Sequence, residues 1–178
     1  LARVQHRNVV RVHHAGQEGA VPFLVLEYVA GTTLRHVLRE GHIPLDRALR
    51  LVAQAADGLG AVHAQGLVHR DIKPDNLMLD GAGAVKLADL GLATETKSEA
   101  GDAKILGTPH FMAPEQARGA AVDHRADLYA LGATAWRLLT SKTPFEGATT
   151  RDILRAHFTE PVRPPSQVVP GIPGSLDA

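Results

Sequence analysis

Cysteine is absent from the 178 residues. That excludes a disulfide framework, a thiolate zinc ribbon and a thiol nucleophile. An excess of charge of one sign is absent as well: 19 Lys and Arg face 19 Asp and Glu. This balance argues against a nucleic-acid or membrane-surface binder driven by bulk charge. No apolar run reaches the roughly 18–20 residues that a bilayer-spanning helix needs. The chain opens without a signal-peptide pattern, and its 10 histidines show no H-E-x-x-H or other zinc spacing. There is no internal repeat. The length suffices for one domain with a sizeable core. The expectation is a soluble, cytoplasmic globular piece, and the leading Leu1 points to part of a longer gene product.

What is present alternates between strand and helix patterns. Residues 8–14 and 21–29 are rich in Val and aromatics, with Gly16 and Gly19 between them, and predict a β-hairpin. Gly31 breaks the chain before a short helix from about Thr33 to Arg39. In 45–65, Ala48, Val52, Ala55, Leu59 and Val62 recur at steps of four and three, which predicts a helix with one buried face and Gly66 as its C′ residue. Leu77-Met78-Leu79 and Val85-Lys86-Leu87 flank a Gly-rich turn and predict a second hairpin. From Leu90 to Ala113 no period is sustained, and a loop of that length in a compact domain is usually functional. Helices are expected over 125–140, with Leu128, Leu131, Ala135 and Leu138 inward, and over 149–158. Five prolines between 161 and 174 predict an extended tail. The class is α+β, mostly helical after residue 32.

Three runs carry chemistry. The first is His69-Arg70-Asp71-Ile72-Lys73-Pro74-Asp75-Asn76, read as a loop. An aspartate alone in a loop is usually a turn or cap residue. Here Asp71 stands beside Lys73, which can neutralise a phosphate, and Asn76, which can ligate a metal. The second run, Asp89-Leu90-Gly91, follows at the end of the second hairpin. Alone it is a turn; with the first it adds the hard oxygen that Mg²⁺ prefers. The third, Gly107-Thr108-Pro109-His110-Phe111-Met112-Ala113-Pro114-Glu115, has a backbone pinned by Pro109 and Pro114. By itself it reads as a proline-containing surface loop.

Together these runs fit the H-R-D-x-x-x-x-N, D-F-G (with Leu90 for Phe) and A-P-E patterns of protein kinases. The chain resembles a bacterial eukaryotic-like (Hanks-type) serine/threonine protein kinase domain. Lys73-Pro74 and Gly107-Thr108 resemble the Ser/Thr branch. The resemblance implies a protein kinase-like α+β fold: an N-lobe remnant over 1–26, a hinge at 27–31 and an incomplete, mostly helical C-lobe over 32–178. It implies transfer of the ATP γ-phosphoryl group to Ser/Thr hydroxyls of protein substrates, with ATP and Mg²⁺ as cofactors. Asp71, Lys73, Asn76 and Thr108 would be catalytic, and Asn76 and Asp89 would hold the metal. Leu26 would be the gatekeeper, the backbones of Glu27 and Val29 would bond adenine, and Met78 would pack under it. Asp127 would anchor the catalytic loop. Arg70 would pair with a phosphorylated activation-loop residue, with Thr94, Thr96 and Ser98 as candidates and Asp102 as an acidic substitute.

The chain departs from the family pattern at both ends. It shows no Gly-rich phosphate loop and no V-A-I-K lysine, and the arginine that pairs with Glu115 in relatives is not seen. The expectation is therefore a kinase whose 178-residue piece is poorly active by itself. Two other readings stand beside it: a non-catalytic, pseudokinase-like scaffold, and a small-molecule phosphotransferase sharing an H-x-D-x-x-x-x-N core. The four residues Asp71, Lys73, Asn76 and Asp89 weigh against the scaffold. Lys73-Pro74 and the Gly107–Glu115 run weigh against the small-molecule enzyme.

Overall fold

The computed structural model describes residues 4–89 and 108–177. In chain order the elements are β1 (Val12–Glu18), β2 (Val21–Leu26), β3 (Gly31–Thr33), α1 (Leu34–Glu40), α2 (Leu45–His63), β4 (Leu77–Asp80), β5 (Val85–Leu87), α3 (Pro114–Ala117), α4 (His124–Thr140) and α5 (Thr150–Thr159). Short 3₁₀ turns at Pro74–Asn76, Pro109–Phe111, Pro165–Gln167 and Gly174–Leu176 begin at or beside prolines, whose fixed φ suits a helix start. The class is α+β, with two small antiparallel sheets. Among the described residues no helix is long and apolar enough to cross a membrane.

The first predicted hairpin forms, but further along the chain than expected. β1 and β2 pair from Val12 with Leu26 to Glu18 with Val21, with an irregularity between Val12 and His14. Gly19 takes the turn at φ 60°. Residues 8–10 are not in this hairpin. They run beside β5 instead: Val10 N–H donates to Leu87 O, and Leu87 N–H donates to Asn8 O. The hairpin keeps Val21, Phe23, Val25 and Leu26 exposed, and a lone two-stranded ribbon is marginal in water.

The second hairpin pairs Leu77 with Leu87 and Leu79 with Val85, as its pattern predicts. It gains a third strand that the sequence reading treated only as a glycine break: β3 pairs Gly31 with Asp80 and Thr33 with Met78. Thr33 then closes α1, its hydroxyl accepting from His36 N–H, as N-cap threonines do.

The core lies between α2, α4 and the three-stranded sheet, and holds Leu34, Ile43, Leu59, Ile72, Leu77, Leu87 and Leu138. α2 buries Ala48, Leu51, Ala55, Leu59 and Val62, while Val52 is half-buried. The buried stripe thus includes Leu51, which the predicted seam left out. In α4 Leu131 and Leu138 are inward, Ala135 is half-buried and Leu128 is 52% exposed. The helix instead buries Ala126, Asp127, Ala130, Ala133, Thr134 and Trp136. A buried aspartate sets its rotation, and Leu128, one residue on, is carried round to solvent. The proline-rich tail is extended only in part, being interrupted by the two 3₁₀ turns.

Gly58 is where α2 meets the Asn8 segment. A Cβ there would lie 2.5 Å from Asn8 O and 2.9 Å from Leu87 Cδ1. Both neighbours are fixed, Asn8 by its Nδ2 bond to Val85 O at 2.7 Å and Leu87 by burial. Gly58→Ala is expected to destabilise the chain by about 1–3 kcal/mol through overpacking, despite alanine's better helix propensity. Gly60→Ala, where a Cβ meets nothing within 4 Å, is the control and is expected to stabilise. Denaturant midpoints of the two variants check this.

Candidate active site

Asp127 is 1% exposed near the start of α4. Its Oδ1 accepts from Arg70 N–H at 2.7 Å, and its Oδ2 accepts from His69 N–H at 2.8 Å and from the His63 ring Nε2 at 2.8 Å. One buried carboxylate therefore ties the end of α2 and two consecutive loop amides to α4. Arg70 sits at φ 67°, a left-handed backbone that costs a non-glycine residue free energy. The two amide bonds hold it there, and Gln116 Nε2 adds a bond to Arg70 O at 2.9 Å.

His69 is also buried. Its Nε2–H donates to Ala88 O at 2.9 Å, and its Nδ1 accepts from Asp71 N–H at 3.4 Å. Desolvation pushes its pKa below the ordinary histidine value, against the charge of Asp127. The neutral ring is thus a strut between the loop and the chain leading into Asp89. Ala88 is held from the other side as well, its N–H donating to Asn76 O at 2.9 Å. Asp89 follows at φ 58°.

The central group is compact. Lys73 Nζ lies 2.7 Å from Asp71 Oδ2. Asn76 Nδ2 donates to Asp71 O at 2.8 Å and to Asp71 Oδ2 at 2.9 Å. With its amide nitrogen used in this way, Asn76 has an Oδ1 that enters no hydrogen bond among the described residues. Asp71 is half-buried, and among the described residues no hydrogen bond engages its Oδ1. Arg70, Asp71, Ile72, Thr108, Met112 and Gln116 line one small cleft, so Thr108 comes to Asp71 from 37 positions downstream. An ion pair between Arg35 and Asp75 fastens α1 to the same loop.

A second group lies on the 26–29 segment. Leu26 ends β2 opposite Val12 and is 40% exposed. Glu27 N–H donates to Arg11 O at 2.8 Å, while its carboxylate meets Lys86 Nζ at 2.7 Å. The hydrogen bond from Lys86 holds the Glu27 carboxyl below the usual range. Val29 is buried, and Met78 is half-buried on β4 between Thr33 and Lys86. No hydrogen bond among the described residues joins this group to Asp71. Thr94, Thr96, Ser98 and Asp102 lie outside the described residues, as do Leu90, Gly91 and Gly107.

Sequence reasoning missed three contributors. Gln116 offers no pattern signal, because its partner is a backbone carbonyl 46 positions away. His63 was visible only as the last turn of α2. Tyr129 and His157 form a third contact: Tyr129 Oη and His157 Nδ1 share a hydrogen bond at 2.6 Å, joining α4 to α5. Next to them, His110 Nδ1 meets Phe145 O at 3.1 Å, which brings in the 109–111 turn. Burial, with a smaller push from the Glu115 charge, raises the Tyr129 pKa to about 12. Burial and the nearby His110 push that of His157 down.

Residues 1–169 match the protein kinase domain family. The chain is 38% identical over 185 residues to the serine/threonine-protein kinase PknB of Mycobacterium leprae (strain TN), covering 99% of this chain and 30% of that protein. It is 39% identical over 180 residues to the serine/threonine-protein kinase PknL of Mycobacterium tuberculosis (strain ATCC 25618 / H37Rv), covering 99% of this chain and 45% of that protein. It is 36% identical over 186 residues to PknB of the same strain. The chain thus spans less than half the length of these relatives.

Two outcomes test the geometry. Asp127→Ala strands two buried backbone donors, and is expected to cost about 3 kcal/mol of stability, read by chemical denaturation. The second concerns pH. His69 and His157 have lowered folded-state pKa values, so below the ordinary value near 6.5 the unfolded chain binds protons that the folded chain refuses. Their contribution is intact above that pH and is lost as pH falls below it. The denaturation midpoint is expected to drop between about pH 7.5 and pH 5.5, and His157→Phe is expected to flatten the drop.

Proposed function

The chain belongs to the protein kinase domain family, and from that premise we propose that it transfers the γ-phosphoryl group of ATP to Ser/Thr hydroxyls of proteins. The observation that carries the proposal is Asp71, held by Lys73 and Asn76 on a loop that Asp127 clamps.

The residues fit Mg-ATP by the chemistry of their donors. Asn76 Oδ1 and the Asp89 carboxylate are hard oxygens of the kind Mg²⁺ takes, and the bonds through Ala88 keep their segments side by side. When bound, Mg-ATP supplies the transferable phosphoryl group and a cation that offsets its charge. Asp71 Oδ1 accepts the hydrogen bond of the incoming hydroxyl, orients it and receives its proton. Lys73 offsets negative charge beside that oxygen. Thr108 shapes the cleft in which the hydroxyl lies.

Residues 27–31 act as the hinge between an N-lobe part (1–26) and a mostly helical C-lobe part (32–178). The Glu27 carbonyl and the Val29 N–H present an acceptor and a donor to adenine. Neither takes part in a hydrogen bond among the described residues. Met78 packs beneath the base, and Leu26 stands at the gatekeeper position. Arg70 is exposed and receives a phosphate carried by Thr94, Thr96 or Ser98. The setting is cytoplasmic.

The 178 residues alone are expected to turn over slowly, since the chemistry depends on positioning and charge stabilisation. The test is phosphoryl transfer from labelled ATP with Mg²⁺ to a basic acceptor protein, in the 178-residue chain and in any longer product of its gene. Asp71→Asn is expected to lower turnover in whichever of these is active by about 10²–10⁴-fold, with label on serine and threonine. Unchanged turnover in that variant sinks the mechanism. Fast turnover by the 178 residues alone sinks only the statement about the piece.

A further inference from the structure

Behind the hinge, on the side of the sheet edge made by residues 5–13, lies a groove of roughly 540 Å³ whose walls include His6, Arg7, Arg11, His13, Glu27 and Lys86. It shares no lining residue with the cleft at Asp71. Its hydrogen-bonding inventory is lopsided. The Arg7 guanidinium bonds Asn8 Oδ1 at 3.4 Å, and that of Arg11 bonds Gln5 Oε1 at 3.3 Å. Both partners are neutral amides, and among the described residues neither arginine meets a carboxylate. His6 Nδ1 already accepts from Asn8 N–H, which leaves its Nε2 as a donor in the neutral ring.

The acceptor side is nearly spent. Glu27 supplies the one carboxylate in the groove. Its Oε1 is taken by Lys86 Nζ at 2.7 Å and its Oε2 by Arg11 N–H at 3.1 Å. Once Glu27 and Lys86 neutralise each other, Arg7 and Arg11 remain as two positive charges whose planar donor forks are only partly used, each on a neutral amide. Such forks match carboxylates two bonds at a time. The partner that suits this inventory is an acceptor-rich anion, since Arg7 and Arg11 line the same groove.

We propose that this groove is a docking site for an acidic peptide segment of a partner protein, with carboxylates seated on Arg7 and Arg11. Charge complementarity selects this occupant. A nucleic acid calls for an extended basic track, whereas the chain as a whole has zero formal charge and the groove carries one carboxylate of its own. The site is independent of phosphoryl transfer, since none of its wall groups other than Glu27 enters that reading, and Glu27 enters it through its backbone.

The experiment is fluorescence anisotropy with the full chain and a labelled decapeptide of alternating glutamate and glycine, against the glutamine version. Acidic peptide is expected to bind at least about tenfold tighter than the neutral one at low salt, and to lose most of that margin near physiological ionic strength. Arg7→Glu with Arg11→Glu is expected to bring it down to the neutral level. Arg155→Glu, on α5, is expected to leave it unchanged. Arg7→Gln with Arg11→Gln gives the same answer if charge reversal disturbs folding, because both side chains are exposed. Equal binding of the two peptides, or binding indifferent to both arginine pairs, overturns the proposal. So does a single-stranded oligonucleotide that binds more tightly than the acidic peptide and is lost in the same variants.

Discussion

The buried carboxylate of Asp127 is the constraint on which the rest of the site depends. A charge taken out of water is tolerated only where hydrogen bonds replace its hydration. Asp127 finds them in two loop amides and a histidine ring. Those three bonds fix the rotation of α4, the end of α2 and the left-handed turn at Arg70 in one step. With Arg70 set, Asp71 leaves the loop at a defined angle, and Lys73 and Asn76 close on it within five residues.

A second layer of support runs through His69. Its burial keeps the ring neutral, and only a neutral ring can donate to Ala88 O while accepting from Asp71 N–H. The loop 69–76 and the Asp89 segment are therefore joined by a strut as well as by the Asn76–Ala88 backbone bond. Asp71, Asn76 and Asp89 are thereby placed by backbone and imidazole groups, and among the described residues no hydrogen bond engages Asp71 Oδ1 or Asn76 Oδ1.

Much of the site was legible in the sequence because its chemistry is local. Asp71, Lys73 and Asn76 lie within six residues, and their mutual hydrogen bonds follow from that closeness once the loop is turned. Thr108 was legible only through the Gly107–Glu115 run, and the structure brings it to the cleft. The helices were legible because α2 and α5 each present one apolar face. α4 was misread at Leu128 because its buried face is organised by a polar residue, which a count of apolar positions does not weigh. β3 was missed because three residues carry too little pattern, and its partner β4 lies more than 40 positions away. The first hairpin was placed too early because residues 8–10 are as apolar as a strand; they find their partner in β5 instead.

By itself the sequence determined the kinase family and the run of helices and hairpins, because these rest on residue type and short spacing. Only the tertiary structure decided which backbone groups hold the loop, that Gln116 and His63 support it, and that Glu27 and Lys86 cancel each other behind the hinge while Arg7 and Arg11 do not find a carboxylate. Those outcomes depend on which distant segments come within hydrogen-bonding distance, and no local pattern records a partner that lies 46 to 64 positions away.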